Sequence, residues 1–219
     1  MTNPLQFGER PAAAGKAGGL VLFLHGYGAD GADLLGLADP LAPHLPGVAF
    51  AAPDAPQPCR GTPFGRQWFP IPWLDGSPQA LADAGLDQSG ADLNLFIDER
   101  MAAVGVGPGQ TALVGFSQGT MMALHVALRR AEPLAGVVGF SGRLLRPERL
   151  AAEISSRPPV LLAHGDADPV VPYADMAAAS AVLKASGVAV ASHTSKGMAH
   201  GIGPDGLGAA LRFLQSRLG

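Results

Sequence analysis

The chain has 219 residues, 47% of them hydrophobic and 15% charged, with a formal net charge of −3. That is long enough and apolar enough to bury a sizeable core as a single domain, and no Lys/Arg cluster offers attraction to nucleic acid or anionic lipid. The one cysteine, Cys59, cannot close an intrachain disulfide, which excludes a disulfide-stapled secreted scaffold.

The N-terminal stretch "MTNPLQFGERPAAAGKAGG" lacks the basic start and apolar core of a signal peptide. No apolar run approaches the roughly 18 residues of a membrane span. A cytoplasmic protein without stable membrane insertion is expected, with residues 1–18 as an extended N-terminal segment. The charged fraction lies below the usual quarter. It predicts a surface built from Ala, Gly and Pro rather than from ion pairs.

In chain order, "GLVLFLHG" (19–26) and "GVAFAAPDAP" (47–56) predict strands, followed by a break in the rhythm. Residues 53–78 hold seven prolines and both tryptophans. A loop of that length is functional or disordered, and its aromatics argue against disorder. Two readings stand, a packed surface excursion and a border of a binding cleft. Leu93, Phe96, Ile97, Met101 and Val104 then share one face of a helix. "TALVGF" (111–116) predicts the next strand, and residues 118–131, apolar nearly all round, a buried central helix. "AGVVGF" (135–140), "PPVLLAHG" (158–165) and "GVAVASHT" (187–194) predict further strands, with an Ala-rich helix over 173–186 and a last helix whose face is Leu207, Ala210, Leu211, Leu214 and Leu218. Strand runs with continuous rather than alternating hydrophobicity are buried on both faces. Their alternation with helices predicts an α/β fold, an open and mostly parallel sheet with helices on both faces.

Ligands of such sheets bind beyond the carboxyl ends of the strands. Ser117 falls there, between strand 111–116 and the helix that follows, inside Gly115-Phe116-Ser117-Gln118-Gly119. A strand that turns at once into a helix brings backbones into contact, so side chains two before and two after the serine would clash. The hydroxyl then projects into the cleft, and the Gln118 amide, at the positive end of the helix, can stabilise an oxyanion. "VVGFSGRLLRP" around Ser141 is an internal control: Arg143 replaces the second glycine and no long apolar helix follows, so Ser141 reads as a structural strand end.

A serine nucleophile needs a base, and the base an orienting carboxylate. His44, His125 and His193 read as structural or exposed. His25 and His164 end strands at the active edge, and position alone does not exclude them. His200 lies in the Gly-rich "SKGMAHGIGP", a loop free to carry an imidazole over the strand ends. In "HGDADPVVP" (164–172), Asp168 is the preferred acid, with Asp166 assigned to the turn through its own backbone. The order Ser117, Asp168, His200 is that of the α/β-hydrolase arrangement. The second oxyanion donor belongs to the glycine turn His25-Gly26-Tyr27-Gly28, with Tyr27 NH preferred and Gly26 NH the alternative. The acyl site is expected to be apolar, drawn from Trp68, Phe69, Leu74, Val170 and Met198.

The series "LFLHGYGADGADL", "GFSQGTMMAL", "HGDADPVVP" and "GMAHGI" resembles the phospholipase/carboxylesterase family of α/β-hydrolases, which includes bacterial carboxylesterases and acyl-protein thioesterases. The resemblance runs from about residue 19 to the end, and "RQWFPI" (66–71) is similar to the Trp-containing loop these enzymes carry near the site. It implies Ser117, Asp168 and His200 as triad and the Tyr27 and Gln118 amides as oxyanion donors. It also implies a small hydrolase with no large cap domain.

The reading is a serine hydrolase of carboxylic esters, acyl thioesters or lysophospholipids, with a small-molecule acyl substrate and neither metal nor cofactor. Trp68 or Trp73, taken as exposed, could serve a homodimer contact. A peptidase or other hydrolase of the same fold is the main alternative. A nucleotide-binding protein is disfavoured because "GVGPGQT" (105–111) and "GKAGG" (15–19) precede strands, whereas phosphate loops follow them. A non-catalytic binding protein would be expected to lack triad members.

Overall fold

A computed structural model describes residues 2–59, 62 and 64–219. Met1 of the N-terminal segment, and Arg60, Gly61 and Pro63 of the Pro/Trp-rich loop, lie outside the described residues. The strands are β1 (Phe7–Arg10), β2 (Gly19–Leu24), β3 (Val48–Pro53), β4 (Gln57–Pro58), β5 (Arg66–Gln67), β6 (Thr111–Phe116), β7 (Gly136–Phe140), β8 (Val160–Gly165) and β9 (Val190–Ser195). The helices are α1 (Gly31–Leu35), α2 (Ala38–Leu41), α3 (Pro72–Asp75), α4 (Gln79–Val104), α5 (Gln118–Ala127), α6 (Leu150–Glu153), α7 (Ala174–Ala185) and α8 (Pro204–Leu218).

Seven strands form one sheet in the order β1-β3-β2-β6-β7-β8-β9, parallel throughout except that β1 runs antiparallel to β3. The continuous apolar runs acquire their reason here. Leu20, Leu22, Leu24, Leu113 and Val137 face one layer with Leu93, Phe96 and Ile97 of α4 and Met122 and Leu124 of α5. Val21, Phe23, Ala112, Val114 and Val138 face the other, with Leu34, Leu41, Ala210 and Leu214. Successive strand residues point to opposite faces, so a sheet covered on both sides needs an apolar residue at every position.

The topology also locates the crevice. From β2 the chain steps outward to β3, then returns to place β6 on the other side of β2. The turns leaving β2 and β6 therefore diverge from adjacent strand ends, Leu24 being in register with Gly115. This is the topological switch point, where open α/β sheets bind ligands.

Two elements depart from the sequence-based expectation. The N-terminal segment contributes strand β1, short and polar (FGER), which seals the sheet edge. Helix α4 begins at Gln79, well before the Leu93–Val104 face; residues 79–92, with Gly85, Ser89 and Gly90, carry no helical signal of their own. Their role is contact. A Cβ at Gly85 would stand 2.9 Å from Pro70 Cδ, and Ser89 Oγ donates to the Trp68 carbonyl.

The expectation of a surface without ion pairs is corrected as well. Arg129 pairs with Glu153 at 2.6 Å, Arg130 with Asp98 at 2.5 Å, Arg143 with Asp175 at 2.8 Å, and Arg146 with both Asp83 (3.1 Å) and Asp87 (2.6 Å). The few charges are arranged in pairs, which a composition cannot reveal.

Candidate active site

At the end of β6 the chain enters α5 through Ser117, whose φ of 54° and ψ of −115° lie in a strained region for a residue with a side chain. The Ser117 amide donates to the Phe140 carbonyl of β7 at 2.8 Å, fixing the corner. Both glycines of the motif are sterically required. A Cβ at Gly115 would lie 2.5 Å from the Gly119 and Thr120 backbone, and one at Gly119 only 1.8 Å from the Leu24 carbonyl oxygen.

Three side chains meet above this corner. His200 Nε2 lies 3.0 Å from Ser117 Oγ, and His200 Nδ1 lies 2.7 Å from Asp168 Oδ2. The Asp168 side chain is inaccessible to solvent, and its Oδ1 accepts the amides of Val170 (2.8 Å) and Val171 (2.9 Å). Burial pushes the Asp168 carboxyl up. The hydrogen bonds from His200, Val171 and Val170 more than offset it and hold the group below the ordinary carboxylate range. The result is an anion fixed against one edge of an imidazole whose other edge meets a serine hydroxyl.

The loop carrying His200 is tied from several sides. Gly197 N donates to Asp166 Oδ1 at 2.6 Å, Ala167 N donates to the Met198 carbonyl at 3.1 Å, and Ser141 Oγ donates to the Gly201 carbonyl at 3.4 Å. Asp166, expected to serve its own turn, therefore anchors the histidine loop. Ser141 is buried and shares the positive φ of Ser117, at 47°. Its hydroxyl is spent on that same loop.

The remaining histidines stand away from Ser117 Oγ, three of them with other partners. His25 is buried, and its Nε2 accepts the Ala55 amide at 2.9 Å. Burial lowers its pKa below the ordinary value. His164 Nε2 donates to the Val171 carbonyl at 3.0 Å and stands 3.2 Å from Asp168 Oδ2. His193, partly exposed on β9, pairs with Asp205 at 2.9 Å, and His44 is exposed. His125 is buried within α5, where desolvation and the nearby Arg129 lower its pKa to about 4.

The glycine turn after β2 lies over the serine. A Cβ at Gly26 would touch Ser117 Cβ at 3.3 Å, and Gly28, at a φ of 81°, donates its amide to the Arg66 carbonyl at 2.9 Å. Tyr27, half-buried, follows Gly26 directly, and Gln118 occupies the first position of α5 on the other side of Ser117. The first amides of a helix have no intrahelical acceptor.

Two functions of this region are not visible in the sequence. The Gln118 side chain, fully buried, accepts the Trp68 amide at 2.8 Å and donates to the Phe69 carbonyl at 2.7 Å. Trp68 Nε1 donates to the His25 carbonyl at 3.0 Å. The Pro/Trp-rich loop is thus bolted to both the serine corner and the glycine turn. A lone glutamine in an otherwise apolar helix start was the one available signal.

Trp68 requires a correction. It was expected to be exposed, lining the acyl site or a dimer contact, but its relative exposure is 0%. Its indole lies within the core cluster, beside the His25 ring and with its N–H bonded to the His25 carbonyl, where burial of so large a ring is most favourable. Trp73, at 67%, is the exposed tryptophan of the pair. Phe69 is buried but lines a cavity of about 160 Å³ with Pro70, Trp73, Leu86 and Leu145. Leu74 and Val170 are exposed, and Met198 is half-buried, folded back so that its Cε would lie 3.0 Å from a Cβ at Gly201. Among the described residues, no group of three or more His, Cys, Asp and Glu could hold a metal ion, and no helix is long and apolar enough to cross a membrane.

Comparison with known proteins identifies the family of the chain. The family model described as Phospholipase/Carboxylesterase matches residues 11–218. Acyl-protein thioesterase 1 of Neurospora crassa is 32% identical over 212 residues, covering 90% of this chain and 86% of that protein. Esterase YpfH of Escherichia coli is 30% identical, covering 84% of this chain and 76% of that protein. The crystal structure of esterase PE8 superposes with a TM-score of 0.94 at 44% identity, covering 99% of this chain and all of that one. The Bacillus cereus carboxylesterase, at 18% identity and a TM-score of 0.78 over 97% of this chain and 94% of its own, shares the fold. The sheet and its surrounding helices are those of an α/β-hydrolase without a large cap. The chain belongs to the phospholipase/carboxylesterase family and is an enzyme of ester hydrolysis.

Proposed function

We propose that the protein is a serine hydrolase that cleaves small carboxylic esters or acyl thioesters through an acyl-enzyme on Ser117. The observation that carries this is the unbroken hydrogen-bond chain from Ser117 Oγ through His200 to Asp168 at the strand ends. His200 Nε2 takes the Ser117 proton as the oxygen attacks the acyl carbonyl. The amides of Tyr27 and Gln118 hold the tetrahedral oxyanion, a contribution on the order of 100- to 1000-fold in rate per donor. His200 then protonates the leaving alcohol or thiol. Water attacks the acyl-enzyme with His200 as base, and Asp168 keeps the Nδ1 proton in place and stabilises the imidazolium. Trp73, Leu74 and Val170, all exposed, and the cavity bounded by Phe69 are the surfaces offered to the acyl group.

Thioester cleavage stands beside ester cleavage because several relatives are named acyl-protein thioesterase 1. Parallel kinetics on esters, acyl thioesters and aminoacyl amides separate the two from a peptidase. Ser117→Ala should lower hydrolysis of a short p-nitrophenyl ester by at least about 1000-fold with the fold intact by circular dichroism. A fluorophosphonate should label Ser117 in the wild-type protein, as mapped by mass spectrometry. Retained turnover in the variant, or a label elsewhere, sinks the assignment.

A further inference from the structure

Asp168 has more donors than a triad requires. Oδ1 is saturated by the Val170 and Val171 amides, and Oδ2 accepts His200 Nδ1 at 2.7 Å. A second imidazole faces the same Oδ2, His164 Nε2 at 3.2 Å. Its protonation at that nitrogen is fixed by chemistry. Nε2 also lies 3.0 Å from the Val171 carbonyl, which can only accept, so Nε2 carries the hydrogen. That hydrogen is donated to the Val171 carbonyl, while the same nitrogen stands 3.2 Å from Asp168 Oδ2.

The surroundings leave His164 little freedom. Its side chain is 1% exposed, it is the next-to-last residue of β8, and Tyr173 packs edge-on against its ring with centroids 6.0 Å apart. Tyr173 is held in turn by a 2.7 Å hydrogen bond between its hydroxyl and Thr194 Oγ1 of β9. His164 thus comes from the sheet itself, whereas the donors to Asp168 come from loops. An imidazole anchored in the sheet, bonded to the Val171 carbonyl and 3.2 Å from Oδ2, restricts the plane in which that oxygen meets His200.

We propose that His164 is a positioning residue of the hydrolase site: bonded to the Val171 carbonyl and packed at 3.2 Å against Oδ2, its imidazole locks the Asp168 carboxylate in the orientation that holds His200 toward Ser117. This rests on the serine-hydrolase reading above. Its effect belongs to the step in which His200 becomes charged, so it acts on kcat and leaves ground-state binding unchanged.

The test replaces His164 in the full chain. His164→Gln can present an amide N–H where Nε2 stands, and His164→Asn, equally polar but one carbon shorter, cannot reach it. With a short p-nitrophenyl ester, His164→Gln should keep kcat within about threefold of wild type. His164→Asn should lose about 10- to 100-fold in kcat with KM unchanged, since a displaced catalytic group costs rate on that scale. The low-field proton resonance of His200 Nδ1–H should shift in the Asn variant and return in the Gln variant. Equal kcat in wild type and His164→Asn, or a loss that appears in KM, overturns the proposal.

Should the Asn variant not fold, the wild-type protein still decides. Two imidazole nitrogens that flank one oxygen at 2.7 and 3.2 Å bring their N–H protons within range of a nuclear Overhauser cross-peak, and its absence overturns the arrangement. Failure of the underlying reading looks different: the wild type itself would lack esterase activity and Ser117 would escape the fluorophosphonate.

Discussion

At Gly119 the space for a side chain is already occupied by the Leu24 carbonyl, 1.8 Å from where a Cβ would stand, with the His25 carbonyl at 2.7 Å. Both obstacles are backbone of the central sheet and cannot move aside. Gly119→Ala should therefore cost about 3 kcal/mol or more, at or above the usual range for overpacking. Urea unfolding measures it, and wild-type stability in the variant would show that the corner is looser than its geometry. The same scale explains why two serines with similar sequence surroundings and a similar positive φ differ in what their hydroxyls face. Ser117 Oγ faces an imidazole, whereas Ser141 Oγ faces the Gly201 carbonyl. The missing second glycine after Ser141 was the legible sign, because without it no helix can start close against the sheet.

Among the elements, the Pro/Trp-rich loop matters most. It is neither a plain surface excursion nor a simple wall of the cleft. Gln118 fastens it to α5, Ser89 to α4, and Trp68 to the turn after β2. Trp68→Phe keeps most of the ring volume but leaves the buried His25 carbonyl without its donor. A loss of about 1–3 kcal/mol in stability is expected from that orphaned acceptor. Esterase kcat should fall alongside it, because the His25 carbonyl belongs to the peptide that leads into Gly26 and Tyr27. Thermal unfolding and steady-state kinetics on the variant check both, and unchanged kcat would show that the loop does not support the glycine turn after β2. That role could not be read from the sequence. A Trp between Gln67 and Phe69 has the same appearance whether its indole reaches outward or inward, and the decision lies in the core around the His25 carbonyl.

For the molecule as a whole, acid stability should carry the mark of His125. Its pKa in the folded state is about 4, against 6.5 when unexposed surroundings are lost. The unfolded chain therefore takes up the proton first as pH falls. The stabilisation is fully present above about pH 6.5, fades as pH drops toward 4, and is constant below. Roughly 1–2 kcal/mol should disappear between pH 7 and pH 5. The carboxylates whose pKa values are held low, among them Asp168 and Asp83, lose their contribution at more acidic pH, so the two windows separate. His125→Gln should flatten the upper window in denaturation experiments at pH 5 and 7. An unchanged slope in the variant would assign the effect to another group.

What the sequence determined by itself is set by local and periodic physics. Apolar runs without alternation required a sheet covered on both faces. Gly115 and Gly119 required a tight strand-to-helix corner, and the order of Ser117, Asp168 and His200 matched the strand ends available to them. What only the tertiary structure decided depends on contacts between residues far apart in the chain. Strand β1 exists because β3 offers it an edge, and the glycine-bearing start of α4 is helical because the Trp68–Pro70 segment packs against it. The ion pairs join residues up to 91 positions apart, as in Arg100 with Glu9. His164, a strand-end histidine that could equally have been the base, is aimed at Asp168 rather than Ser117 because β8 lies two strands away from β6. Residue type and spacing specify which chemistry is available, and the packing of the sheet specifies which side chain performs it.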